Sequence, residues 1–290
     1  MHILNTSSVD EVYNSLDDIL DIQRGSVKNF LSCNLQAFIN RQYWEIDVNS
    51  FYKKFSLSED FSLEAITIHH VTTRLGNINK ETFTIDNLET VLLSDNSLTQ
   101  WLKKYEIEFK KSQGISVYYK GRVHEFNGYA EARLKNRLKN LGDSCVNGFL
   151  FAENMDSCYS GLTGMPEIFS DLMNSLNRED LKYEYFGQQK CYMVTVKVLL
   201  ENFIFDDFSE KKNSSEKTRL ILQYVINYLC YKLSQDKYYS FDNPIIRLPD
   251  NKNVKSSDIL DIRQITDYKE IFENTVALNM PDGPDNSQHM

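Results

Sequence analysis

The chain is poor in residues that interrupt or staple a fold: 11 glycines, 5 prolines and 5 cysteines among 290 residues. The sequence holds no internal repeat and no low-complexity tract. No apolar run reaches the roughly 18 residues of a membrane helix, and mean hydropathy is −0.45; no membrane partner is expected. The cysteines (Cys33, Cys145, Cys158, Cys191, Cys230) are odd in number, and none stands in a Cys-x-x-Cys. They predict free thiols in a reducing, cytoplasmic setting. The first 25 residues carry acids and no long apolar stretch, so no secretory signal is expected there. The Gly-x-x-x-x-Gly-Lys-Ser/Thr phosphate loop, the Gly-x-Gly-x-x-Gly fingerprint and the Gly-x-Ser-x-Gly elbow are all missing. Histidine is scarce as well. His2 and His289 are terminal, and the neighbours His69 and His70 would face opposite sides of a strand. No metal-ligand set is expected.

What is present suffices for a core: 41% of residues are hydrophobic and 12% aromatic. Net charge is −9, which argues against a dedicated nucleic-acid coat. The charge is uneven. From Lys103 to Lys139 ten bases face four acids, which leaves −15 on the rest of the chain. Such a segment suits either a solvated face pairing with the protein's own acids or a phosphate-bearing or acidic partner.

Periodicity predicts an α+β fold with a mixed, mostly antiparallel sheet body and a helical N-terminal region. The expected divisions are 1–62 (helical), 63–278 (body) and 279–290 (tail). Ser7 or Ser8 caps a helix with Val9, Val12, Leu16 and Ile19 in its stripe, and a second stripe runs from Val27 to Phe38. Residues 65–72 read as a strand. Thr84 or Asp86 caps a short helix, and another covers 97–105. Lys120-Gly121 joins a hairpin. A basic helix spans 129–141, and Gly148 to Ala152 reads as a short buried strand. A helix follows Pro166, strands are expected at 181–186, 191–200 and 245–248, and Ser214 or Ser215 opens a long helix.

One constellation carries chemistry. Ile68-His69-His70-Val71-Thr72 ends a strand with His-x-Thr, and Asn87-Leu88-Glu89-Thr90-Val91-Leu92 follows on a helix. Gly148-Phe149-Leu150-Phe151-Ala152 comes later, with Tyr159 beyond it. This order resembles the ADP-ribosyltransferase fold of the diphtheria-toxin and poly-ADP-ribose-polymerase type. The resemblance implies NAD as co-substrate. His70 would contact the ribose with Thr72 in support, while Phe151 and Tyr159 would belong to the nicotinamide site. Glu184 would be the catalytic acid on a later strand, stabilising an oxocarbenium-like state as nicotinamide leaves. Where the family has its first stacking Tyr, this chain has Leu150. The implied function is transfer of ADP-ribose to an intracellular protein or nucleic acid, as in a toxin or antiviral-defence effector. The basic segment would meet the acceptor.

Two other classes fit parts of the sequence. Glu108-Phe109-Lys110 has the Glu-x-Lys pattern of Mg²⁺-dependent nucleases, with Asp86 or Asp95 upstream. A non-enzymatic sensor or inhibitor would fit the acidic charge and the N-terminal helices.

Overall fold

β-branched residues crowd the run from Ala65 to Leu75, and it becomes the central strand of the molecule. The protein is described from a computed structural model covering residues 2–39, 41–126, 131–139, 144–153, 164–206, 212–234, 241–250 and 252–266. The N-terminal part holds β1 (Ile3–Leu4), α1 (Val9–Ile19), α2 (Ser26–Cys33), α3 (Leu35–Phe38) and α4 (Val48–Lys54). Then come β2 (Ala65–Leu75), α5 (Leu88–Leu93), α6 (Ser97–Lys103), β3 (Ile107–Ser112), β4 (Gly114–Tyr119) and β5 (Arg122–Val123). α7 (Ala132–Leu138), β6 (Asn147–Phe149), α8 (Glu167–Ser175), α9 (Glu179–Gln188) and β7 (Gln189–Leu199) follow. The chain goes on through β8 (Ile204–Phe205), α10 (Ser214–Ser234), β9 (Ile245–Arg247) and β10 (Ile259–Ile265).

The main sheet has the order β10-β7-β2-β6-β9-β8, and β1 lies parallel beside the first residues of β2. The other pairings are antiparallel, so the sheet is mostly antiparallel and the fold is α+β. β2 and β7 pair over their whole length without a register shift, from Ala65 opposite Leu199 to Leu75 opposite Gln189. Alternation then divides their side chains. Ile66, Ile68, His70, Thr72 and Arg74 share one face with Lys190, Tyr192, Val194, Val196 and Val198. The other face carries Thr67, His69, Val71 and Thr73 with Cys191, Met193 and Thr195.

The apolar half of the first face packs into one core with α10 and the N-terminal helices. α10 is buried nearly all round, which explains why it shows no simple amphipathic stripe. Its Lys217 is enclosed with them, and its Nζ donates to the carbonyls of Leu200 and Phe203, each at 2.6 Å. A second apolar cluster joins α6, β3, β4, α7, α8 and α9, with Leu75 packed against it. Among the described residues no helix is long and apolar enough to cross a membrane.

Several local expectations change. The stripe from Val27 to Phe38 is two helices, because Asn34 leaves helical geometry and its side chain donates to the Phe30 carbonyl at 2.8 Å. The cap of α5 is Asn87, whose Oδ1 accepts from the Thr90 amide at 2.9 Å, rather than Thr84 or Asp86. Residues 181–186 lie in a helix, α9, and not in a strand. Glu179 and Asp180 favour its N-terminus, and Leu181 and Tyr185 are its buried i, i+4 pair. Four strands lie outside the expected ones: β1, which falls in the region expected to be helical, and β3, β8 and β10. The Lys120-Gly121 hairpin forms as expected, both residues being left-handed, with φ of 51° and 74°. The expected tail, 279–290, lies outside the described residues.

Candidate functional site

His70, Thr72 and Arg74 stand at successive positions on one face of β2, beyond the point where Ile66 and Ile68 enter the core. Thr72 faces Tyr192 across the ladder, and Tyr192 Oη donates to the Gly76 carbonyl at 3.4 Å. On the opposite edge His69 pairs with Phe149 of β6, which brings Gly148 beside His70. A side chain at Gly148 would not fit freely: a Cβ there would lie 3.0 Å from Ile68 Cδ1.

His70 Nδ1 lies 2.6 Å from the main-chain oxygen of Asn147. A carbonyl only accepts, so Nδ1 carries the proton and donates. Burial holds the ring's pKa down, to about 4, with the Arg74 charge acting in the same direction. The ring is therefore neutral at pH 7, and its Nε2 is a bare acceptor with no hydrogen-bond partner among the described residues. The resemblance implies a contact between His70 and ribose; in this tautomer a hydroxyl that meets Nε2 would donate to it.

His69 points to the other face, where Nε2 meets Thr6 Oγ1 and Nδ1 meets Thr195 Oγ1, both at 3.2 Å. It is fully buried, and burial pushes its pKa down to about 4. It ties the turn after β1 to β2 and β7, and both ring nitrogens are occupied.

The other expected site residues are not gathered at His70. Phe151 is fully buried, stacked on Tyr228 with ring centroids 4.2 Å apart and edged by Phe241. Its ring is a core element with both neighbours in place. Glu184 is exposed on α9, where Tyr105 Oη donates to it and Gln188 Nε2 approaches at 3.1 Å. The next residue, Tyr185, bonds Thr73 Oγ1 at 2.9 Å, which sets α9 against the sheet face opposite His70. Tyr159, like Cys158, lies outside the described residues.

Arg74 and Lys190 went unnoticed in the sequence. Arg74 is two residues beyond Thr72, so strand alternation alone would have found it. Lys190 depends on the register of β2 against β7, which no local pattern reveals.

Among the described residues, five of the ten bases in the segment pair with the protein's own acids. Lys103 pairs with Asp95 and Lys110 with Glu108, both at 3.7 Å, and Lys111 pairs with Glu89. Arg133 and Arg137 share Glu167, the latter at 3.0 Å. The pairing of Lys110 with Glu108 also occupies the Glu-x-Lys motif. Among the described residues no group of three or more His, Cys, Asp or Glu could hold a metal ion. No family model, curated protein or solved structure matches the chain.

Proposed function

We propose that the chain binds NAD along the strip of His70 and Thr72 and transfers its ADP-ribose to an intracellular macromolecule. The observation that carries this reading is the fixed tautomer of His70. A neutral imidazole, held through Nδ1 by the Asn147 carbonyl, offers Nε2 to a hydroxyl donor on a half-open sheet face. A ribose edge supplies such donors, and Thr72 is the neighbouring hydroxyl on that face. In the transfer the glycosidic bond from ribose to nicotinamide breaks, and the departing ring takes the bonding pair. A nucleophilic atom of the acceptor then bonds the anomeric carbon and releases its proton to solvent. The acceptor would meet the basic segment from Lys103 to Lys139, in which Lys104, Lys120 and Arg122 have no ion pair among the described residues.

A second reading is a nucleotide-binding sensor without turnover. It is favoured by one observation: none of the residues that β2 and β7 present on the His70 face is a carboxylate. Purified protein incubated with NAD and a cell extract separates the two. Nicotinamide release that disappears in His70→Ala supports transfer. A thermal shift with NAD, lost in the same variant and without release, supports the sensor. Neither release nor shift overturns both.

A further inference from the structure

Arg74 and Lys190 are direct partners in the ladder between β2 and β7, so two cations stand side by side on the His70 face. Like charges at opposed positions of an antiparallel pair repel. Neither has a carboxylate within 4.0 Å among the described residues, whereas Arg247, also partly buried, has Asp206 at 2.8 Å. Arg74 is the more confined of the two. Of its five N–H groups the described structure engages one, a 3.3 Å contact with the carbonyl of Thr73. Its guanidinium lies over the Phe83 ring, 5.4 Å from the centroid. Burial lowers its pKa, offset in part by Tyr185 and then by Asp86, which stands beyond ion-pair distance. Lys190 Nζ is held at the rim by the side-chain oxygen of Asn77.

Two adjacent cations, one partly buried and short of hydrogen bonds, cost stability in the free protein unless an anion completes them. In a chain with 41 acids and 32 bases, an acid partner at this spot would have been easy to supply. We propose that Arg74 and Lys190 form a diphosphate-binding site, with Arg74 as the planar fork and Lys190 as the point charge at the rim. That the diphosphate belongs to a dinucleotide rests on the NAD reading. The site itself rests only on the two cations. Both residues follow His70 and Thr72 along the same face, so one extended ligand would place ribose at His70 and phosphates at Arg74.

The test is calorimetric titration of the full chain with inorganic pyrophosphate, ADP-ribose, NAD and nicotinamide riboside. Wild type, Lys190→Gln, Arg74→Lys and Arg74→Gln are compared, each checked for fold by circular dichroism. Wild type is expected to bind pyrophosphate, ADP-ribose and NAD, more weakly as salt rises. Lys190→Gln and Arg74→Lys should each lose tenfold or more for all three. Lys190→Gln should also raise the unfolding midpoint of the free protein, because it relieves the repulsion; a purely structural lysine would lower it. Undiminished NAD binding in folded Lys190→Gln and Arg74→Lys would overturn the diphosphate site and leave the NAD reading standing. Pyrophosphate binding that both variants lose, with NAD and ADP-ribose inert, would support the anion site and remove the dinucleotide. If no phosphate compound binds wild type, the site falls.

Discussion

His69 and His70 are adjacent in sequence and opposite in role, and the difference follows from the strand period of two. His69 is locked between two threonine hydroxyls, while His70 leans over Gly148 to the Asn147 carbonyl. Both have folded pKa values near 4, below the ordinary 6.5. The unfolded chain therefore binds protons first, so stability is unaffected above pH 6.5 and declines from there down to about pH 4. For fully buried His69 the decline from pH 7 to pH 5 is about 2 kcal/mol. His69→Gln should shrink the pH 7 to pH 5 difference in urea-unfolding free energy by about that amount. An unchanged difference would mean that His69 titrates normally in the fold. Gly148→Ala should cost roughly 1–3 kcal/mol, since Ile68 must give way to the new methyl group. Little of this was legible beforehand. The opposed directions of the two rings could be read from alternation; the carbonyl that fixes the His70 tautomer belongs to a strand 77 residues away.

Local pattern served best where an element's own residues decide its state. The β2 and β7 strands, α1 with its Ser8 cap, α8 after Pro166 and the long α10 were all readable for that reason. It misread α9, because Leu-Lys-Tyr-Glu-Tyr-Phe satisfies both a strand alternation and a helical i, i+4 pair. Burial of Leu181 and Tyr185 against the second cluster decides between them. Other contacts at this scale join distant segments through single polar groups. The buried carboxylate of Asp17, on α1, accepts from the amides of Gly25 at 2.6 Å and Val27 at 3.0 Å, closing the first turn of α2. Asp17→Ala should lower stability by about 2 kcal/mol, measured by urea denaturation, through loss of that cap. No loss would show that α2 is held by its apolar face alone. Lys217→Met should cost about 1–3 kcal/mol, since the carbonyls of Leu200 and Phe203 lose their only charged donor among the described residues. An equally stable Lys217→Met would show that packing of the methionine offsets both bonds.

At the scale of the molecule, the sheet separates two chemistries. One face is apolar toward α10 and becomes polar and cationic toward Arg74; the other carries the threonine and histidine lock and the packing of α9. The fold class was legible from periodicity, but the grouping of the proposed ligand residues was not, because it depends on register and on which face each element covers. That dependence removed Glu184 from the neighbourhood of His70 and brought Lys190 into it. Nitrogen-detected NMR of the two histidine rings during titration with NAD tests the role of His70 most directly. Free His70 is expected to show a protonated Nδ1 and a bare Nε2, and NAD is expected to move the Nε2 signal while the His69 ring stays unperturbed. A His70 ring that does not respond to saturating NAD, or one already protonated at Nε2, would contradict that role.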